Sequence, residues 1–308
     1  MMMTCRRCWL AIAVAAVIVP EVIPAAAAPP DKIPDVPAYL QEVSVTIQAG
    51  RSEGSGVAVI RDGVTYIWTA AHVVAGLRST RMVVDPRTGS KKTVVEFGDA
   101  QVVKILLEEG RIVGRLAIDA EVLKYSDAQH GQDLALLRVR KRGFIGKSAR
   151  FYLDPKLPRL GCPLTHCGSL LGSPGAGSIT TGVLSQTGRV LSGSKVIYDQ
   201  VTVVAFPGSS GGAVTLEDGR VMGILVRGTS VQGFNLVVPA RRMIRWARSA
   251  GVYWAIDPAE KMPAAEVLGK LPIEDTLPGG GSGKPAGKLY PFLIRTSQRA
   301  STTESVMP

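Results

Sequence analysis

The chain has 308 residues, 46% of them hydrophobic, which is enough apolar material for one large domain or two medium ones and excludes wholesale disorder. Its formal charge is +11, from 36 basic and 25 acidic residues. The basic residues are scattered and no Lys/Arg run is interleaved with aromatics, so the charge reads as a solvated surface and no nucleic acid is expected as a partner.

Arg6 and Arg7 precede an apolar run from Trp9 to Val19, and the small residues Ala25–Ala28 follow before Pro29 and Pro30. Charge, a short apolar stretch and an Ala-rich exit, in that order, predict a secretory signal peptide over residues 1–28 and a lead-in over 29–42. The apolar run is closed by Pro20 and Glu21, well short of the roughly 20 residues a membrane-spanning helix needs. Export to the periplasm or beyond is therefore expected, with no stable membrane span in the mature form; the arginine pair leaves the export route open.

Removal of the leader leaves Cys162 and Cys167, which could close a small loop as a disulfide in an oxidising compartment or remain free buried thiols. Only His166 stands near them, too few groups for the roughly four ligands of a zinc site. Neither a metal nor an organic cofactor is expected.

From Val43 to Val238 the chain reads as short β-rich segments: 43–48, 57–61, 64–69, 81–84, 93–97, 101–107, 134–139, 179–185, 196–205, 213–216, 221–226 and 234–238. Many short strands at this spacing imply an all-β sandwich or barrel. The pairs Asp62-Gly63 and Asp218-Gly219, each between apolar runs, predict hairpins. One helix is predicted, over Ala240–Ala250, with Met243, Ile244 and Ala247 on an apolar face and Arg241, Arg245 and Arg248 outside. After Tyr253, residues 254–308 turn to Pro, Gly and Ala and read as a flexible tail, within which the apolar stretch Leu289–Ile294 could dock as an added strand.

Three patterns carry chemistry: Thr69-Ala70-Ala71-His72, Asp133-Leu134-Ala135-Leu136-Leu137 and Gly208-Ser209-Ser210-Gly211-Gly212. A serine hydroxyl is a poor nucleophile at neutral pH; it needs a general base, and the base needs a carboxylate to fix its tautomer and stabilise its charged form. Chain order decides among the folds that use this chemistry. Gly-x-Ser-x-Gly also fits the nucleophile elbow of an α/β-hydrolase, where His must follow Ser, but His72, His130 and His166 all precede Ser210. A subtilisin-like order needs an acid before His72, which leaves Asp31, Asp35 and the turn residue Asp62 and conflicts with the β-rich pattern. His–Asp–Ser is the order of chymotrypsin. His130 is a rival base without the Thr-Ala-Ala context and is expected in a solvent loop.

Together the three patterns resemble the trypsin-like peptidases, and within them the bacterial HtrA-like (Deg) branch. The likeness runs from about Gly54 to Arg245 and includes Gly54-Ser55-Gly56-Val57, Tyr66–Val74, Asp133–Arg138, Thr181–Ser185, Gly208–Gly212, Gly223–Val226 and Phe234–Pro239. The resemblance implies two six-stranded antiparallel β-barrels over residues 43–253, split near 145–160. It implies His72, Asp133 and Ser210 as the triad of a serine endopeptidase and the N–H groups of Gly208 and Ser210 as an oxyanion hole. Val204, Ala205, Val226, Arg227, Gly228 and Gly233 would line the primary pocket. No carboxylate stands at the expected pocket floor, so a small or medium apolar side chain before the scissile bond is expected.

Two departures from the digestive trypsins matter. Ser209 replaces the aspartate that pairs with a newly made N-terminus in those enzymes, so no such activation switch is expected. The stretch from Ala75 to Gln132 is longer than the Deg pattern, which predicts an extra hairpin or a loop over the active site. The Pro/Gly-rich tail leaves no room for the peptide-binding domain that Deg proteins often carry, and a monomer or small assembly is expected. The competing readings are a catalytically silent binding module on the same fold and an esterase-like hydrolase.

Overall fold

The computed structural model describes residues 33–191, 196–228 and 233–275. The expected signal peptide and the apolar stretch Leu289–Ile294 lie outside the described residues. Asp35 opens the first element: its carboxylate accepts the N–H of Ala38 at 3.0 Å and caps α1 (Val36–Val43). The second half of the lead-in is thus helical, and it buries Tyr39, Leu40 and Val43.

β1 (Ser44–Ala49), β2 (Ser52–Arg61) and β3 (Val64–Thr69) follow, then the single turn α2 (Ala71–Val74). Next come β4 (Arg78–Val84), β5 (Lys91–Phe97), β6 (Ala100–Glu108), β7 (Arg111–Ser126) and β8 (Leu134–Val139). Six of them close an antiparallel barrel in the order β1-β2-β3-β8-β7-β6. β4 and β5 form a separate two-stranded sheet, the extra hairpin expected between His72 and Asp133.

The second barrel is built from β9 (Pro163–Leu170), β10 (Gly175–Val190), β11 (Ile197–Val201), β12 (Ala213–Leu216), β13 (Val221–Arg227) and β14 (Asn235–Pro239), closed in the order β10-β11-β14-β13-β12-β9. Asp62-Gly63 joins β2 to β3 and Asp218-Gly219 joins β12 to β13, as their sequence signals require. β7 and β9 go unread in the sequence: the exposed first half of β7 carries interleaved charges, and β9 is interrupted by His166 and Gly168.

The main core fills the first barrel and continues beneath α3 (Ala240–Ser249). Trp68 lies at its centre, fully buried, edge-on to Trp246 at 5.8 Å and to Phe151 at 6.4 Å, with its indole N–H donating to the Ala255 carbonyl at 2.9 Å. A smaller cluster of Leu164, Leu184, Val201, Val203, Val214, Met222, Leu225 and Val237 fills the second barrel.

One expectation needs correcting. The tail does not begin at 254. Trp254, Ala255, Ile256 and Leu268 are buried, the last in α4 (Ala265–Lys270), and the backbone pairs with Tyr125 as far as Asp275. These few apolar residues are enough to dock a segment whose average composition is that of a linker. Of the two readings the sequence leaves open for Cys162 and Cys167, the structure has free thiols. Cys167 lies in β9 and Cys162 just before it, so the extended chain between them spans about 16 Å, against the roughly 4–7 Å between Cα atoms that a disulfide tolerates. Burial pushes the Cys167 thiol up to about 12. Among the described residues no helix is long and apolar enough to cross a membrane.

Candidate active site

His72 leaves the end of β3 on α2, and Asp133 stands at the start of β8, the strand paired with β3. That pairing brings the two together from 61 residues apart. The Asp133 carboxylate accepts the backbone N–H of His72 at 3.1 Å and lies 3.1 Å from ring Nδ1 through both oxygens. An ionised carboxylate only accepts, so Nδ1 carries the hydrogen and Nε2 of the neutral ring is left as the acceptor. The Asp133 side chain is 2% exposed and that of His72 38%. Burial works to raise the Asp133 pKa, but the charge of His72 and its two N–H donors outweigh it, with Arg227 adding, and the carboxyl is held below its ordinary value.

The loop before Asp133 is wound about Asp127, whose carboxylate accepts the N–H groups of Gln129 and His130 at 2.8 Å and whose carbonyl receives those of Gly131 and Asp133. His130 is exposed on this loop, and no hydrogen bond joins its ring to Asp133. Arg242 of α3 grips the same loop from below. Its guanidinium donates to the side-chain and backbone oxygens of Gln132 and stacks on the Tyr198 ring at 4.6 Å.

Ser210 sits in the turn between β11 and β12. Gly208 and Gly211 both have positive φ, +92° and +88°. A Cβ on either would lie about 2 Å from a backbone oxygen, 2.2 Å from that of Ser169 for Gly208 and 2.1 Å from that of Ser55 for Gly211. Only glycine fits at these two places. In a trans peptide each N–H points away from the preceding carbonyl. The Pro207 carbonyl is held by the N–H of Leu171 at 2.7 Å and that of Ser209 by the N–H of Gly212 at 3.1 Å, which fixes the directions of the Gly208 and Ser210 N–H groups. Leu171 adopts φ +61° to make its bond, an uncommon conformation for a residue with a side chain. Ser209 is consumed within the turn, its N–H on the Phe206 carbonyl and its hydroxyl receiving the Phe206 N–H. Among the described residues the ring of His72 bonds only to Asp133, and no hydrogen bond joins it to the Ser210 hydroxyl.

β13 runs directly behind this turn: Gly211 N–H donates to the Leu225 carbonyl and Leu225 N–H to that of Gly212. Of the expected pocket residues, Ala205 and Gly228 converge, since a Cβ on Gly228 would lie 3.8 Å from that of Ala205 and 3.3 Å from Asn235 Oδ1. Val204 is 37% exposed beside them. Gly233 precedes Asn235 with φ +84°. Two expected residues point elsewhere. Val226 is buried in the main core, because alternate residues of β13 face opposite ways. Arg227 turns to the Asp133 loop, with its guanidinium 5.8 Å from the Tyr198 ring and reaching the Ala128 carbonyl. Asn235, buried with its amide donating to Val203, belongs to the wall and was legible as the one polar residue in an apolar strand.

Two closed antiparallel six-stranded barrels with His72 and Asp133 on the first and Ser210 on the second define the class, and residues 54–224 match the family model described as trypsin-like peptidase domain. The chain belongs to that family. It is 28% identical over 204 residues to the serine protease Do-like HtrA of Lactobacillus helveticus, covering 63% of this chain and 41% of that one. It is 27% identical over 209 residues to the protein of the same name from Lactococcus lactis subsp. cremoris, with 63% and 43% covered. The chain thus spans about two fifths of the length of these relatives. Among solved structures, the fold is shared with Rv3671c of M. tuberculosis H37Rv in an inactive form, at TM-score 0.50 and 18% identity over 71% of this chain and 94% of that one. It is shared with Deg5 at TM-score 0.50 and 19% identity, with 72% and 96% covered.

Proposed function

We propose that this chain is an exported serine endopeptidase that works through an acyl-enzyme. Ser210 Oγ attacks the scissile carbonyl while His72 Nε2 takes its proton, and Asp133 holds His72 in the required tautomer. The oxyanion is received by the N–H groups of Gly208 and Ser210, a contribution of roughly 3 kcal/mol per donor. His72 then passes its proton to the leaving amine as the C–N bond breaks. Water hydrolyses the resulting ester with His72 again as base, which restores Ser210.

The observation that carries this reading is the Nδ1 contact of His72 with the buried Asp133 carboxylate, which leaves Nε2 as an acceptor. The open His72–Ser210 bond is in keeping with it, because such bonds are often long before substrate arrives. Ala205, Gly228 and the Asn235 amide, with no carboxylate among them, favour a small or medium apolar side chain before the scissile bond. Export is supported by the arrangement of residues 1–28.

Intact mass after treatment with a fluorophosphonate tests the chemistry. A single adduct that Ser210→Ala lacks is the expected result. No adduct on a folded sample would point to the silent binding module. A peptide-library profile dominated by Arg or Lys would overturn the pocket assignment, and cleavage of esters but not amides would favour the esterase-like reading.

A further inference from the structure

The turn that carries Ser210 belongs to the second barrel, yet it is tied to the first through one residue. Ser55 of β2 is completely buried and uses every polar atom it has. Its N–H donates to the Ser210 carbonyl at 2.7 Å, and its carbonyl accepts the Thr69 hydroxyl at 2.7 Å. Its own hydroxyl donates to the Gly208 carbonyl at 2.6 Å and accepts the N–H of Ser169 at 2.7 Å. Ser169 is held in turn by Thr46 of β1, hydroxyl to hydroxyl at 2.6 Å.

We infer that Ser55 is a positioning residue that keeps the Gly208–Ser210 turn in the orientation needed to present its two N–H groups, an inference that rests on the reading of Ser210 as the nucleophile. The hydroxyl acts where the turn is weakest. Within Gly208–Ser210, Gly208 alone lacks a Cβ, so its peptide planes rotate most freely. Anchoring the Gly208 carbonyl opposes that rotation. It also sets the Ser209 N–H on the Phe206 carbonyl, since the two groups share one peptide plane. Without the hydroxyl, the half-buried Gly208 carbonyl and the buried Ser169 N–H would both lose their partner. A rotated turn that turns the carbonyl toward solvent would then compete with the one observed.

Ser55 does not reach a substrate, so its removal acts on the rate and spares binding. In the full chain, Ser55→Ala is expected to lower kcat on an amide substrate by about 10- to 100-fold, short of the roughly 100- to 1,000-fold for loss of an oxyanion donor itself, with KM changed less than about threefold. Hydrogen exchange in the peptide spanning 206–212 is expected to rise about tenfold or more while β1 to β3 keep their protection. Ser55→Cys, close in size and a weak donor, is expected to show the same pattern in milder form and serves if the alanine variant does not fold. Wild-type kcat in either folded variant, or protection lost evenly across the first barrel, would overturn the inference. If the wild type takes neither substrate nor fluorophosphonate, the exchange data still decide. Loosening confined to 206–212 upholds Ser55 as the anchor while the peptidase reading falls, and unchanged exchange removes the anchor.

Discussion

The carboxylate of Asp275 accepts the indole N–H of Trp246 at 2.8 Å, and the same oxygen receives the Ser126 hydroxyl at 2.8 Å. Ser126 Oγ accepts in turn the N–H of Gln132, the residue before Asp133. Glu274 pairs with Arg78, and the Ile273 carbonyl takes the N–H of Tyr125. The last described residues therefore strap the loop that delivers Asp133, from a part of the chain that composition marks as a tail. Asp275→Ala leaves a buried indole N–H and hydroxyl short of a partner, at a cost of about 1–3 kcal/mol. A fall in Tm of roughly 5 °C by scanning calorimetry is expected, together with a lower kcat at temperatures where the rest of the fold is intact.

Asp133→Asn keeps the shape of the side chain and replaces one of the two oxygens that face His72 with an NH2 donor. The amide nitrogen instead favours the tautomer with hydrogen on Nε2, which cannot take the Ser210 proton. A loss in kcat of about 10⁴-fold is expected with the Tm little changed. Initial rates on an amide substrate at matched folded-protein concentration decide it; a loss below tenfold would remove Asp133 from the mechanism.

What could be read from the residues, and what could not, divides along the range of the interactions. The proposed triad residues stood out because each sits in a local pattern whose order along the chain fits one fold, and most strands because the apolar runs are bounded by turn residues. Ser55, Leu171 and Arg242 were not singled out for their roles. Each acts through backbone groups brought near by the closure of the barrels, and nothing in a Gly-Ser-Gly, a Leu-Leu or a helix arginine announces such partners. The strap at 271–275 was hidden for the same reason, since it holds by backbone pairing and two carboxylates amid a polar stretch. Arg227 and Val226 show the converse limit: the strand was placed correctly, but which way each side chain faces follows from the pleat once the register is known.

Asp199 of β11 is fully buried and paired bidentately with Arg241 of α3, while one of its oxygens also accepts the N–H of Gly188 at 2.9 Å. Breaking a buried pair from one side strands the other charge, which costs about 3–5 kcal/mol. Arg241→Met should therefore unfold at a markedly lower urea midpoint with an unchanged m-value. Adding Asp199→Asn to it should recover a large part of the loss. A double variant no better than the single would show that the stranded Asp199 charge is not what the single variant loses.

His166 of β9 lies beneath the Ser210 turn, fully buried, with Nδ1–H donating to the Ala213 carbonyl at 3.0 Å and Nε2 without a partner. A Cβ on Gly212 would come within 2.5 Å of its ring, so the imidazole packs directly against the turn. Burial lowers its pKa to about 4 from 6.5, the Ala213 bond opposing only in part. The folded state thus keeps His166 neutral in a range where the unfolded chain binds a proton. Stability from this group is fully present above pH 6.5 and is lost as pH falls toward 4, by about 3 kcal/mol over the window. Asp133, Glu53, Asp99 and Asp218, whose carboxyls are held below their ordinary values, add their own losses below about pH 5, so measurements between about pH 5.5 and 7 report the histidine. His166→Gln keeps a donor for Ala213 and cannot titrate. Its Tm, followed by circular dichroism across that range, should decline less than that of the wild type, and parallel declines would mean that the buried imidazole is not what makes this fold acid-sensitive.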